Sequence, residues 1–575
     1  MTHVVIPMSG LGERFIKAGY KLPKPLIEVD GKPMIEHVVS MFSPDDKFTF
    51  VCNQEHLSQA NFNLREVLNR IAPHAEIISI DTHRKGPVYA VAQCFDRIED
   101  NEATIVNYCD FYSYWNYADF LAKTRSRRAA GAVPAYRNFH PHMLGTDNYA
   151  FIKEKNLWLE AIQEKKPFTD NRMAEFASNG TYYFSRGQYV KHYFQELMKQ
   201  DIQVNGEYYV SMIYNLMVAD ELRVLVYEVD YMLQWGTPRD LEEYQHWSDY
   251  FTRLAQEGLE DEPRTGQKNR PASSSTANAI DSSLVNTCLI PMAGKGSRFA
   301  DVGYLTPKPL IPVSNKPMVV LACDNLPPAS RYVFVAQKEH LDNSQLKGIL
   351  TEQFPNVSVV AIDGITAGQA SSCQLGIDGA EPAIDPEASL LIGACDNGIV
   401  YDQSKWQALM ADQTIDMAAF SFRNHPSSER NPQMFGWLKV AGQVADQVAG
   451  QVAVQGDDKS AEFPIITGVS VKKAISDNPR GDHAIVGAFF FRKAKYFDQA
   501  MKVMLEQGIR VNGEFYVDSM VGVLAQSGLK CVAFEVVDYI SFGIPNDLKT
   551  FDYWQSFFKK CSWHEYKKEV SKIQA

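Results

Sequence analysis

Two stretches of this chain are written in one pattern, and that duplication constrains the architecture before any local reading. Residues 4–34 run VVIPMSGLGERFIKAGYKLPKPLIEVDGKPM, and residues 288–318 run CLIPMAGKGSRFADVGYLTPKPLIPVSNKPM. Arg14 falls on Arg298 and Lys24 on Lys308, both at an offset of 284. VCNQEHL at 51–57 meets VAQKEHL at 335–341 at the same offset, Asp110 meets Asp396 at 286, and VNGEYYV at 204–210 meets VNGEFYV at 511–517 at 307. The growing offset locates an insertion between Asp396 and Val511, for which the Gln/Val/Ala/Gly-rich run from Gly442 to Lys459 is the natural place.

A chain of 575 residues exceeds what one hydrophobic core supports. Residues 259–284, rich in Pro, Ser and Asn without apolar periodicity, have the composition of a tether. The reading is therefore a first domain over 1–258, a flexible linker over 259–284 and a second domain over 285–575. In each half, short β-branched runs such as His3–Ile6 and Phe48–Val51 alternate with helix-like stretches, which predicts α/β winding with mainly parallel sheets. Ligands of such sheets bind beyond the carboxyl ends of the strands, where the glycine loop after the first strand sits.

A net charge of −12 disfavours nucleic acid as the main partner. The nine cysteines show no C-x-x-C pair or metal-like spacing, as expected of reduced cytoplasmic thiols. No basic leader or apolar run of membrane-spanning length is seen, so a soluble, unexported protein without membrane partners is expected, of undetermined oligomeric state.

The chemistry concentrates after the first strand. Gly10 and Gly12 let the backbone approach phosphate oxygens closely, while Arg14 and Lys24 bring positive charge. Phosphoryl-type transfer needs little covalent help, so cations around the transferred and departing phosphates are the expected apparatus. A glycine-rich turn with surface charges is the plain alternative, but Gly, Gly, Arg, Phe, Pro, Lys and Pro recur at identical spacing in both halves. This is not a Walker A loop, because no Gly-Lys-Ser/Thr follows the glycines. Asp110 ends an apolar strand and Asp396 repeats it; each suits one oxygen ligand of Mg²⁺ or the cap of a following helix.

Each half resembles the sugar-phosphate nucleotidyltransferase family, whose signature is G-x-G-x-R-F/L followed by P-K-P. The resemblance implies two tandem Rossmann-like, GT-A-type nucleotidyltransferase domains. It implies transfer of NMP from an NTP to a sugar phosphate or other phosphorylated small metabolite with release of pyrophosphate, in the synthesis of cell-surface polysaccharide precursors. It gives phosphate-holding roles to Gly10, Gly12, Arg14 and Lys24 and to Gly294, Gly296, Arg298 and Lys308, and the Mg²⁺ to Asp110 and Asp396. Met8, Ser9 and Gly86 then belong to the nucleotide side.

Glu164-Lys165 resembles the family's E-K-P element for the acceptor phosphate, and Asn179-Gly180 its N-x-G-x-Y strand with one residue missing. Glu207 is either an acceptor ligand or a charge at a helix start. The second half departs further: Val471-Lys472-Lys473-Ala474 lacks the Glu and Pro, and Val486 replaces Asn179. Where the family carries a second metal-binding Asp before Gly-Thr, this chain has Gln234 and Ser541, which leaves Asp230 as a candidate substitute.

Two other classes compete, and so does a closer relative, a molybdenum-cofactor guanylyltransferase, which would be expected to carry a loop ending in Arg-Met-Gly where this chain has Arg14-Phe15 and Arg298-Phe299. A nucleotide-sugar-dependent glycosyltransferase would carry a D-x-D triplet, which is missing, and would leave P-K-P unexplained. A nucleotide-sensing protein with a degenerate second domain has no need of the leaving-group cations Arg14 and Lys24.

Overall fold

The computed structural model describes residues 1–256, 284–442 and 463–567. The proposed linker falls almost wholly outside these residues, as does the proposed insertion. The strands flanking the insertion, Gly436–Val440 and Ile466–Val471, pair antiparallel. The chain forms two compact units. The first comprises Met1–Phe251 together with Ser556–Lys567, and the second takes in the described residues between Thr252 and Gln555. The segment Ser556–Lys567, read from sequence as part of the second domain, thus clusters with the first.

The first unit is built on a ten-stranded sheet. His3–Met8 lies between Lys47–Asn53 and Thr104–Asn107, parallel to both. All six of its residues are buried. Alternation sends Val4, Ile6 and Met8 into one core cluster and Val5 into the other, so the strand is covered on both faces. Thr181–Phe184 runs antiparallel between Thr104–Asn107 and Gly131–Tyr136.

The sheet is therefore mixed, where mainly parallel winding was expected. The cause is the connection between Gly131–Tyr136 and Thr181–Phe184, which holds an antiparallel hairpin (Ala150–Lys155, Trp158–Glu164) and short 3-10 turns. Without a crossover helix the chain returns in the opposite direction. In the second unit, the sheet order from Val357–Ile362 through Ala329–Gln337, Val285–Pro291, Leu390–Ile392, His483–Phe491 and Met417–Phe422 to Cys531–Glu535 is also mixed.

All nine cysteines are free thiols, most of them buried. Among the described residues no helix is long and apolar enough to cross a membrane.

The segment Ser556–Lys567 completes the first unit with aromatic rings. Phe558 is fully buried, its ring centroid 5.7 Å from that of Tyr244 and 5.4 Å from that of Phe251. Trp563 Nε1 donates to Asp30 at 2.9 Å, and Tyr244 and Ser248 donate to the same carboxylate. Truncating a buried phenylalanine removes its transfer energy and leaves a cavity. Phe558→Ala is expected to destabilise the first unit by about 3–5 kcal/mol in chemical denaturation.

Candidate active site

The glycine loop of the first unit is braced from its neighbour strand. Asn53, at the end of Lys47–Asn53, donates from Nδ2 to the Ser9 carbonyl at 3.2 Å, and Ser9 Oγ lies 3.0 Å from His83 Nε2. Gly12 sits in the left-handed region at φ 66 and leads into the short helix Glu13–Lys17. Gln337 braces the loop of the second unit in the same way, donating to the Ala293 carbonyl at 2.6 Å.

Lys24 is held at the centre. Its Nζ donates to Asp110 and, at 3.0 Å, to the Gly236 carbonyl, and it stands 5.4 Å from the centre of the buried Phe15 ring. Asp110 follows Thr104–Asn107, and its carbonyl accepts from Trp235 N–H at 3.0 Å. A two-stranded ribbon, Phe111–Tyr114 with Tyr231–Gln234, pairs Gln234 with Phe111, and a Cβ at Gly236 would stand 2.6 Å from Gln234 Nε2 and 3.4 Å from Asp110 Oδ2.

The second unit holds Lys308 in the same fashion, 2.6 Å from Asp396 Oδ2, 2.9 Å from the Gly543 carbonyl and 5.7 Å from the centre of the Phe299 ring. Burial opposes the charge on Lys308, but Asp396 outweighs it and holds the ammonium above its ordinary value. Burial pushes the adjacent Cys109 and Cys395 thiols up to about 12, which leaves them protonated and unreactive.

A cavity of about 600 Å³ in the first unit is lined by Gly10, Gly12, Arg14, Lys24 and Asp110 and also by Glu164, Lys165, Asn179, Gly180 and Glu207. An adjoining pocket of about 250 Å³ adds Met8, Ser9 and Gly86. Asp230 does not reach the cavity. It is exposed, four residues before Gln234 along an extended segment, roughly 13 Å away at 3.3 Å per residue.

Asn179 lines the cavity with its amide already engaged, Nδ2 donating to Ser113 Oγ at 3.0 Å and Oδ1 accepting from Thr181 N–H at 2.9 Å. Lys165 adopts a left-handed backbone at φ 59, and its Nζ donates to Tyr209 OH at 2.8 Å, which in turn donates to Glu207. Glu164 accepts from Ser211 Oγ at 2.5 Å. Burial, only partly offset by Ser211 and Lys165, pushes its carboxyl up to about 7.

Tyr209, Ser211, His83 and Arg84 were missed in the sequence. Tyr209 could have been found there, because the aromatic two positions after Glu207 recurs as Tyr516 after Glu514.

In the second unit a cavity of about 250 Å³ is lined by Arg298, Lys308 and Asp396 together with Lys472, Asp518 and Asp547. Gly294 and Gly296 lie in the preceding loop and are not among its lining residues. Asp547, also unforeseen, accepts from Ser541 Oγ at 2.5 Å, and burial raises its carboxyl. Among the described residues no group of three or more His, Cys, Asp or Glu is arranged to hold a metal ion.

Residues 4–168 match the family of MobA-like NTP transferase domains. The match takes in the glycine loop, Lys24, Asp110 and Lys165.

Similar solved structures include a nucleoside-diphosphate-sugar pyrophosphorylase from Vibrio cholerae RC9 (21% identity, 42% of this chain and 98% of that one, TM-score 0.35). Others are a UDP-glucose pyrophosphorylase complexed with UDP-glucose (16%, 44% and 99%, 0.36) and the inositol-1-phosphate CTP transferase from T. maritima (14%, 43% and 94%, 0.33). No curated protein matches the chain.

Gly86 generates a stability test. It has φ 84, and a Cβ there would stand 2.8 Å from both the N and the O of Tyr208. Gly10 has nothing within 4 Å of such an atom. Gly86→Ala is expected to destabilise the first unit by more than about 1 kcal/mol in denaturant titration, and Gly10→Ala by much less.

Proposed function

We propose that the first unit is a nucleotidyltransferase that joins the NMP of an NTP to a phosphorylated small metabolite and releases pyrophosphate. One observation carries the reading: a single cavity is lined by a glycine loop, Lys24 and Asp110 and also by a second lysine, Lys165, beside Glu164. A phosphate oxygen of the acceptor attacks the α-phosphorus, the bond to the bridging β-oxygen breaks, and pyrophosphate carries the electron pair away. Lys24 holds the α-phosphate, Arg14 the departing phosphates and Lys165 the acceptor phosphate, so charge is neutralised where it develops.

The Asp110 carboxylate is a hard oxygen donor that suits Mg²⁺, which when bound would offset charge on the triphosphate. The same reading extends to the second unit through Arg298, Lys308 and Asp396, which supports reading the chain as a tandem of related domains. The sugar phosphates of polysaccharide precursors are acceptors of the right chemistry.

The test is pyrophosphate release from each of the four NTPs with a panel of sugar 1-phosphates and phosphorylated alcohols. Lys24→Ala is expected to cut release with the first unit's acceptor about a hundredfold or more. A smaller effect, or none, removes Lys24 from the transfer step.

Glu164 gives a pH signature. A carboxyl shifted to about 7 is neutral below that pH and ionised above it, and only the ionised form accepts from acceptor hydroxyls with both oxygens. The acceptor KM is expected to fall as pH rises through about 7 in the wild type, and Glu164→Gln to remove that inflection. An inflection that persists in the variant assigns it to another group.

A further inference from the structure

The acceptor end of the second cavity has its carboxylate in a different place on the chain. In the first unit Ala150 pairs with Glu164, and Lys165 follows with a left-handed backbone, its N–H donating to the Tyr149 carbonyl at 2.8 Å. In the second unit Gly436 pairs with Val471, and Lys472 follows at φ 62, its N–H donating to the Phe435 carbonyl at 2.9 Å. The lysine is therefore kept at its position while the glutamate beside it has become a valine. Ser211 stands four residues after Glu207 and Asp518 four after Glu514, each pair following the same Asn-Gly turn.

Three positions thus change together: Glu164 to Val471, Ser211 to Asp518 and Ala150 to Gly436. Their geometry explains the last change, because a Cβ at Gly436 would stand 2.2 Å from Asp518 Oδ1. The aspartate reaches into the cavity through space that the missing side chain leaves open. Asp518 also lies in the first turn of Val517–Gln526, where a negative charge favours the helix. A helix charge can do that from solvent, whereas a carboxylate turned inward loses hydration. Burial raises the Asp518 carboxyl and Lys472 opposes the rise, so the two groups sense one another. Lys472 Nζ is anchored 2.6 Å from the Met434 carbonyl and 5.5 Å from the centre of the Tyr516 ring.

We propose that Asp518 is the acceptor-contacting carboxylate of the second unit, supplied from the helix in place of the strand, and that with Lys472 it binds a hydroxylated phosphate ester for transfer. This rests on the nucleotidyltransferase reading and deepens it: the second unit is a working transferase with its own acceptor, not a nucleotide sensor. Lys472 takes the phosphate and Asp518 the hydroxyls, approached from the opposite wall. Val486 replaces the polar Asn179 in the lining, and the cavity is about 250 Å³ against about 600 Å³ in the first unit, so a smaller acceptor is expected.

The test uses the full chain carrying Lys24→Ala, which silences the first unit. Pyrophosphate release is followed for each of the four NTPs with glucose 1-phosphate, mannose 1-phosphate, glycerol 3-phosphate and phosphocholine as probes. Release is expected with at least one of the three hydroxylated probes and not with phosphocholine. Adding Asp518→Asn is expected to raise the KM for that probe roughly tenfold to a hundredfold, as for a lost hydrogen bond to a charged group, with the KM for NTP unchanged.

If Asp518→Asn does not fold by its melting curve, the triple exchange Gly436→Ala, Val471→Glu and Asp518→Ser, which rebuilds the arrangement of the first unit, is read instead. It is expected to release pyrophosphate with a changed order of preference among the probes. Release by the wild type that Lys24→Ala abolishes for every probe overturns the proposal and leaves the first unit's function standing. An unchanged acceptor KM, an equal rise in both KM values, or an unaltered probe order in the exchange variant also overturns it. Absence of release from the wild type itself removes the underlying reading as well.

Discussion

The ion pair between Lys24 and Asp110 is the point on which the first unit's site depends. It ties the Pro23-Lys24-Pro25 loop to the end of the strand Thr104–Asn107, and through the Gly236 carbonyl to the turn after Tyr231–Gln234. Segments more than two hundred residues apart in sequence thereby converge on one ammonium group. Such a pair is a weak source of net stability, since two charges give up hydration to form it. Breaking it from one side is costly, because the remaining charge is left partly buried and uncompensated. Under the proposed function, a ligand that brought phosphate to the lysine and a cation to the carboxylate would satisfy both groups at once, and the pair would be the resting arrangement that it replaces. Lys308 with Asp396 and the Gly543 carbonyl repeats the arrangement.

Around these centres the two units keep some residues and exchange others. The loop, the lysine and the strand-end aspartate are kept. On the acceptor side the lysine keeps its position and its left-handed backbone, while the carboxylate, the hydroxyl and the small residue opposite are exchanged. A left-handed non-glycine residue carries a steric cost of about 1–2 kcal/mol, and its retention at Lys165 and Lys472 aims the amine into each cavity.

Much of the nucleotide side was legible in the sequence because it is local. Two glycines, an arginine and a lysine stand within fifteen residues of one another, so their spacing can be read directly from the chain. The sheet's mixed pairing was not legible, since it depends on a hairpin taking the place of a crossover helix between Gly131–Tyr136 and Thr181–Phe184. The clustering of Ser556–Lys567 with the first unit was equally hidden, because aromatic residues such as Phe558 and Trp563 announce burial but not the partner. Asp230 illustrates a related limit: it has the right chemistry near the right motif, but an extended chain carries it too far. The Asp518 carboxylate became visible only through its fit against Gly436, a relation between residues eighty-two positions apart.

The central claim is that Lys24 and Asp110 exchange each other for the phosphates and the cation of a bound nucleotide. It is tested most directly by a crystal structure of the chain with Mg²⁺ and an NTP analogue that cannot be cleaved at the α-phosphate. The account predicts the triphosphate on the Gly10–Gly12 loop, Lys24 Nζ moved from Asp110 to an α-phosphate oxygen, and the Asp110 carboxylate facing the cation. A nucleotide bound elsewhere, or bound with the Lys24–Asp110 pair intact, would contradict it.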